Sequence, residues 1–468
     1  MHLIRNLSIQ VGSALLCIFF INIVATGSEK PTNVIVFLTD DQGYADVGIY
    51  GSDNVDTPHI DQLAKDGIKF TSFYAQPLCG PSRAALLTGR YPVKIKEPGG
   101  KKKPNTVLGA SEVTIAEILK QAGYKTALIG KWHLAGEGAP WDYAPPPLPP
   151  GKPGGKGPFK NELMPNEQGF DYFFGTPMHN GYTQRVDPER FIVDLMRNKK
   201  VIESQTDVNL LTVRYTEEAL KFIRSNVARP FFLLLSHNMP HVSLGVSQRF
   251  AAKSTYGLYG DVIMELDWSL GEIIKELQIL NLDENTLVIF LSDNGPPLGQ
   301  LTDRNGGSSH PLRGGKYSTW EGGVRVPAIM RWKSKLPRHQ TDHDVASVMD
   351  LLPTIAEATG ANVPSNLDLD GFSLMSRLLG KPESRDRTYF YHSLNNLQAV
   401  RKGAWKLVLP RQRNDPELLW LARYTDEVSE HQLYNLDNDL SETRNIASQF
   451  PDVVAELLRE TELAKKHL

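Results

Sequence analysis

Asn33-Val34-Ile35-Val36-Phe37-Leu38, running straight into Thr39-Asp40-Asp41-Gln42-Gly43, is the stretch that decides the fold. Five consecutive apolar residues without polar alternation read as a strand buried on both faces, as in a parallel sheet covered by helices. The strand stops at two adjacent carboxylates. The same pattern recurs three times along the chain. Thr126–Ile129 ends in Gly130-Lys131-Trp132-His133, Phe231–Leu235 in Ser236-His237-Asn238-Met239-Pro240-His241, and Thr286–Leu291 in Ser292-Asp293-Asn294-Gly295.

Helical patterns lie between these strands. One covers His59–Lys65, entered through Thr57-Pro58. Another covers Glu112–Gln121, with Thr114 and Glu117 at capping-box spacing. Further helices fit Asn209–Ile223, Tyr259–Leu277 and, after the short run Val326–Trp332, Val345–Ala358. The alternation predicts an α/β body, a large mostly parallel sheet flanked by helices. In such sheets ligands sit outside the carboxyl ends of the strands. Four strands that each end in charged or imidazole-bearing residues therefore point to one site.

After Gly360 the pattern changes. Thr388–Tyr391, Asn396–Val400, Ala404–Leu409 and Leu433–Leu436 read as short strands, followed by a helix at Asp452–Lys465. This predicts a smaller C-terminal α+β unit with an antiparallel sheet. The expected division is 1–27, 28–375 and 376–468.

The first of these segments is read as a cleaved export signal. Arg5 precedes the apolar run Val11–Ala25, and the small residues Ala25-Thr26-Gly27-Ser28 follow. Removing it leaves Cys79 as the sole thiol, so the mature chain has no intramolecular disulfide and depends on its core. The only Asn-x-Ser/Thr match, Asn6, lies in the signal. These features predict a bacterial protein, periplasmic or secreted, with no membrane anchor in the mature chain. Lysine and arginine (51) nearly cancel aspartate and glutamate (53), which argues against binding nucleic acid by bulk charge.

Three constellations carry chemistry. Cys79-Gly80-Pro81-Ser82-Arg83 places a cysteine at the start of a helix running to Gly89, where free N–H groups favour anions, with Arg83 one turn on. Asp40, Asp41, Asp293 and Asn294 form an all-oxygen set, suited to calcium or magnesium more than to zinc. Lys131, His133, His237 and Lys316 could neutralise an oxyanion and supply an acid and a base near neutral pH. Lys316 lies in Leu312–Pro327, whose paired glycines imply backbone pressed close to something. Two surface features accompany them. Gly136–Gly169 holds nine prolines and seven glycines and reads as a long loop, a candidate wall of the cleft. Arg90 with Lys94–Lys103 groups six basic residues.

These motifs together resemble the type I, formylglycine-dependent sulfatases of the alkaline-phosphatase-like superfamily. The resemblance rests on Cys79–Arg83 with its continuation to Arg90, Thr39–Gly43, Gly130–His133, Ser292–Gly295, Leu312–Lys316 and Glu321–Pro327. Val400–Leu407 and Leu433–Leu436 extend it to the C-terminal region, so it runs from about Asn33 to the end. Gly80 replaces the serine or threonine common after the cysteine, in a slot that tolerates variation.

The resemblance implies that a maturation enzyme oxidises Cys79 to formylglycine (3-oxoalanine). One calcium per chain would be held by Asp40, Asp41, Asp293, Asn294 and the modified residue 79. Arg83 would support that residue, Lys131 and Lys316 would bind sulfate oxygens, His237 would stand near the leaving oxygen and His133 near the aldehyde hydrate. It further implies hydrolysis of sulfate esters on an oligo- or polysaccharide, carrageenan-type galactans first and hexosamine glycans second. His179, His241, His310 and Arg325 are the candidate sugar contacts. Three other readings compete: an arylsulfatase for small aryl esters, a phosphohydrolase of the same superfamily, and an inactive glycan-binding protein. The cysteine in the nucleophile slot and the intact oxygen set weigh against the last two.

Overall fold

The two faces of the first strand explain where it sits. The computed structural model describes residues 31–95, 108–135, 163–180, 194–203, 206–298, 306–381, 387–412 and 426–467. Strand β1 (Asn33–Thr39) is buried at every position. Val34, Val36 and Leu38 enter one apolar layer, Ile35 and Phe37 the other. Each such side chain contributes roughly 1.5–3 kcal/mol on burial, so β1 is stable only in the middle of a covered sheet.

The strands that follow are β2 (Ile68–Phe70), β3 (Phe73–Tyr74), β4 (Lys125–Gly130), β5 (Tyr172–Gly175), β6 (Leu195–Arg197) and β7 (Lys200–Glu203). Next come β8 (Phe231–Ser236), β9 (Thr286–Ser292), β10 (Ala328–Arg331), β11 (Gln340–Asp342) and β12 (Ala346–Ser347). Ten of them form one sheet in the order β11-β2-β10-β9-β1-β8-β4-β5-β6-β7. Pairing is parallel from β9 through β5, and antiparallel at β10 and at β6 and β7. The four strands singled out by sequence are thus neighbours at the centre.

Helices are α1 (Pro58–Lys65), α2 (Cys79–Thr88), α3 (Ile115–Gln121), α4 (Leu211–Ser225), α5 (Gly257–Ile279) and α6 (Glu321–Val324). They continue with α7 (Leu351–Thr359), α8 (Met375–Leu378) and α9 (Pro451–His467). Helices α1, α4 and α5 cover the Ile35/Phe37 face, and α2, α3 and α7 the other. The expected capping box is present: Glu117 N–H donates to Thr114 Oγ1 (3.1 Å) and Thr114 N–H to Glu117 Oε2 (2.8 Å).

One helix boundary differs from expectation. Instead of a helix from Val345, Ala346–Ser347 pairs with β3, and Ser347 N–H donates to Asp350 (2.7 Å) before α7 begins. That local cap competes with continuing the helix backward. The Pro/Gly-rich segment is also more ordered at its end than its composition suggests. Leu163 and Met164 are fully buried and Leu163 O accepts the Trp132 indole N–H (2.9 Å), while 136–162 lie outside the described residues.

The C-terminal strands β13 (Thr388–Ser393), β14 (Asn396–Lys402), β15 (Trp405–Val408) and β16 (Gln432–Asn435) form an antiparallel meander. Helix α9 packs Leu457 against Val400, Leu407 and Leu433. The boundary drawn at 375/376 falls inside α8, and the signal segment lies outside the described residues. Among the described residues no helix is long and apolar enough to cross a membrane.

Candidate active site

The registers of β9, β1, β8 and β4 bring their ends level: Thr39 pairs with Ser292, Leu38 with Ser236, and Gly130 with Ser236. The residues that follow therefore emerge side by side. Gly130 has φ 115°, and a Cβ there would stand 1.8 Å from Ser236 O. Any other residue would push β4 from β8 and displace Lys131. Asp41 is left-handed, φ 68°. Side chains alternate along an extended chain, so this turn lets Asp40 and Asp41 share one side, at about 1 kcal/mol of backbone strain.

Cys79 is the first residue of α2, and every residue of that helix is buried. Its sulfur lies 3.7 Å from Asp41 Oδ1. One turn later Arg83 turns to Asp293, donating from Nε (3.0 Å) and Nη2 (2.8 Å) to Oδ2. Its Nη1 donates to Lys131 O (3.0 Å) and Ser236 Oγ (2.5 Å). Lys131 Nζ is 2.6 Å from Asp40 Oδ2 and Lys316 Nζ 2.7 Å from Asp41. Three carboxylates thus face three cations. Burial, then Asp293 and Asp40, push the Cys79 thiol well above its usual value. As an unmodified side chain it stays a neutral thiol, a poor nucleophile despite its helix end.

Lys316 is held by glycines pressed against each other. A Cβ on Gly322 would lie 2.2 Å from Gly314 O, one on Gly323 2.5 Å from Gly315 O, and one on Gly315 2.4 Å from Pro296 O. Lys316 N–H then donates to Pro296 O (2.9 Å), fixing the side chain's origin. This is what the paired glycines in the sequence were for.

The oxygen set suits a hard cation. Asp40 Oδ1 and Asn294 Oδ1 are buried and have no hydrogen-bond partner among the described residues. Two such acceptors beside further carboxylates are expensive unless a cation meets them. Asp40, Asp41, Cys79 and His241 each offer a ligand atom, all within 4.8 Å of one another.

Residues 32–361 match the family model described as Sulfatase, and residues 315–467 the one described as N-sulphoglucosamine sulphohydrolase, C-terminal. The chain belongs to the sulfatase family. Among its relatives, the N-acetylgalactosamine-6-sulfatase of Mus musculus is 36% identical over 417 residues, covering 84% of this chain and 74% of that protein. Arylsulfatase A of Homo sapiens is 36% identical over 478 residues, covering 94% and 88%. The crystal structure of Ps i-CgsB in complex with k-i-k-neocarrahexaose matches with a TM-score of 0.73 at 29% identity, covering 92% of each chain.

In this sulfatase the histidines are not placed as the sequence suggested. His237 is fully buried on the far side of the sheet, its Nε2 3.3 Å from Ser269 Oγ and its ring 4.7 Å from that of Phe37. Burial lowers its pKa to about 3. It does not join the charged cluster. His241 does, with Nε2 3.7 Å from Asp41 Oδ2. The rings of His133, His179 and His241 form a row, with centroids 5.4 and 5.0 Å apart. Burial, and then the site's cations, hold His133 and His241 well below the usual imidazole value. Asn180, which the sequence reading passed over, donates to His241 O (3.0 Å) and Ser243 O (2.6 Å) and fixes that loop.

Two candidate sugar contacts lie elsewhere. Arg325 is buried, donating to Thr71 O (2.5 Å) and Glu321 Oε2 (3.4 Å), and so braces the body. His310 is exposed on the loop leading to Lys316. The basic stretch is partly neutralised: Arg90 pairs with Glu112 (2.8 Å), and Lys94 with Asp368 (3.1 Å) and Asp370 (2.7 Å). Residues 96–107 lie outside the described residues.

Proposed function

We propose that this sulfatase removes sulfate from a carbohydrate built on galactose or hexosamine, a carrageenan-type galactan or a glycosaminoglycan, after export to the periplasm or beyond the cell. The observation that carries the sulfate chemistry is the convergence of Arg83, Lys131 and Lys316 on three carboxylates around Cys79. The cluster is balanced as it stands. A bound divalent cation leaves it two positive charges in excess, an attraction for an anionic ester.

Asp40, Asp41, Asp293 and Asn294 are the proposed calcium ligands, and Cys79 the proposed formylglycine, made by a maturation enzyme. When present, these supply a Lewis acid and a hydrated aldehyde whose oxygen is the nucleophile. The chain's own groups do the rest. Lys131 and Lys316 hold the sulfate oxygens as charge develops on them. Arg83 keeps Asp293 oriented beside residue 79. His241, in place of His237, donates the proton to the leaving oxygen, and His133 accepts one from residue 79. His241 first takes that proton up as the bound ester's negative charge offsets the burial and the cations that otherwise keep its ring neutral. We assign the C-terminal subdomain to the chain after α8, built from β13–β16 and α9, and the catalytic body to the chain from about residue 28 through α8.

The sugar assignment is supported by the names of the relatives and by the row His133-His179-His241. Its ring nitrogens can bond hydroxyls, and a site that bonds hydroxyls rejects ligands lacking them. The similarity to arylsulfatase A favours a second reading, hydrolysis of small aryl sulfates. Measuring kcat/KM on sulfated carrageenan and glycosaminoglycan oligosaccharides against an aryl sulfate decides between them. Preference for an oligosaccharide supports the proposal; turnover of the aryl ester alone overturns it.

A further inference from the structure

Lys316 owes its position to more than the glycine clasp. Behind it, contacts run without a gap into the C-terminal segment. Gly322 N–H donates to Arg313 O (2.8 Å), tying the start of α6 to the loop that carries Lys316. Arg313 lies over the Trp320 ring at 3.5 Å, and its Nη1 donates to Glu442 O (3.1 Å). The Glu442 carboxylate in turn accepts the Glu321 N–H (2.7 Å), the first N–H of α6, and lies 2.8 Å from Lys406 Nζ. Ser441 Oγ donates to Pro311 O (2.6 Å) at the front of the same loop.

Glu442 is fully buried and left-handed, φ 51°. A non-glycine residue keeps such a backbone only where its surroundings over-determine it. Residues 441 and 442 therefore grip the Lys316 loop at both of its ends, at Pro311–Arg313 and at Glu321. Family sequence around Cys79 says nothing of this grip, since it joins residues more than a hundred positions apart.

We propose that Glu442, with Arg313, is a positioning residue for Lys316, so that the C-terminal segment sets the geometry of sulfate binding. The carbonyl and carboxylate of Glu442 act as a two-sided strut. The carbonyl holds the loop before Lys316 and the carboxylate holds the helix after it. Lys316 is thereby kept on the Asp41 side of the cluster. The inference rests on the reading of Lys316 as a sulfate-binding group.

The test uses the full-length mature enzyme and inorganic sulfate as competitive probe. The inhibition constant, kcat and KM are measured well below each variant's melting temperature. Glu442→Ala is expected to raise the sulfate inhibition constant about tenfold, the equivalent of one charge-assisted hydrogen bond misplaced. Glu442→Gln retains the acceptor for Glu321 N–H and is expected to stay within about threefold of the parent. Should Glu442→Ala not fold, Arg313→Ala, at a partly exposed residue, is expected to raise the constant by a smaller factor. Lys316→Ala is the control. If it raises the constant and both strut variants lower only the melting temperature, the strut is overturned. If Lys316→Ala itself leaves sulfate binding unchanged, the reading of Lys316 is overturned and the strut with it.

Discussion

Two buried charge clusters lie close together in this molecule, and they are finished differently. At the ends of β1, β4 and β9, Asp40 Oδ1 and Asn294 Oδ1 accept no hydrogen bond among the described residues, with Arg83 Nη2 standing 3.9 Å from Asp40 Oδ1. Behind the Lys316 loop, Glu321 is saturated. Its Oε1 accepts from Tyr391 (2.9 Å) and Lys406 (2.9 Å), and its Oε2 from Tyr74 (2.5 Å) and Arg325 (3.4 Å). Burial would raise the Glu321 pKa, but Lys406, Arg325 and Arg401 hold it down to about 2. Both clusters are buried and set carboxylates against several cations, so neither property by itself marks function. What separates Glu321 from Asp40 and Asn294 is unmet valence: Glu321 is saturated and ties β13–β15 to the body, while the open cluster keeps buried acceptors that a cation could meet.

Changes at the open cluster should therefore act on turnover, and changes to the donors around Glu321 on stability, with the Glu442 strut the exception because it also holds the Lys316 loop. The largest effect is expected at Cys79. Cys79→Ala should lower kcat by about 10⁴-fold or more, with little change in melting temperature. Steady-state kinetics beside thermal unfolding checks both halves.

Next come the groups proposed to hold the anion. Lys131→Ala should reduce kcat/KM by ~10²–10³, as expected for loss of a donor aimed at developing charge. Chelation should abolish activity and lower the melting temperature, calcium should restore both, and elemental analysis should find one calcium per chain. Two zinc ions per chain would break the comparison at its centre.

The two histidines of Ser236–His241 separate the readings most sharply. His241→Ala should lower kcat by ~10²–10⁴, the range for a lost general acid. His237→Gln should leave kcat nearly unchanged. Its expected signature is in stability against pH. Folded His237 has a pKa of about 3 where the unfolded side chain has its ordinary value, so the unfolded state binds more protons between them. Stability therefore falls as pH drops from about 6.5 toward 3, and His237→Gln should flatten that slope. Equilibrium denaturation at several pH values reads it directly.

The smallest effect belongs to the donors around Glu321. Tyr391→Phe removes one of four donors to Glu321 and should lower stability by about 1–2 kcal/mol, with kcat/KM unchanged. A kinetic defect there would blur the distinction between the clusters.

Much of this was legible in the sequence, and some of the misreading was avoidable. Four apolar runs ending in charge located the central strands, and Pro81 and Gly89 bracketed α2. His237 was misjudged although a signal existed. Leu233 and Leu235 face the layer opposite Leu234, and a period of two puts His237 with them, away from Arg83. Arg325 stands four residues after Glu321, a helical ion-pair spacing that argued for a brace. The left-handed turn at Asp41 had no readable signal, and the paired glycines showed that backbone comes close there but not that Gly314-Gly315 meet Gly322-Gly323. Both depend on which distant backbone approaches, as does the contact of Glu442 with Arg313.

The central claim is that the open cluster is built around a modified residue 79. Mass spectrometry of the peptide spanning Phe70–Arg83 tests it most directly, on enzyme made with and without a formylglycine-generating partner and assayed in parallel. Specific activity should rise in proportion to the fraction of Cys79 converted to formylglycine, and vanish with that fraction. Full activity from enzyme whose Cys79 is wholly unmodified would contradict it.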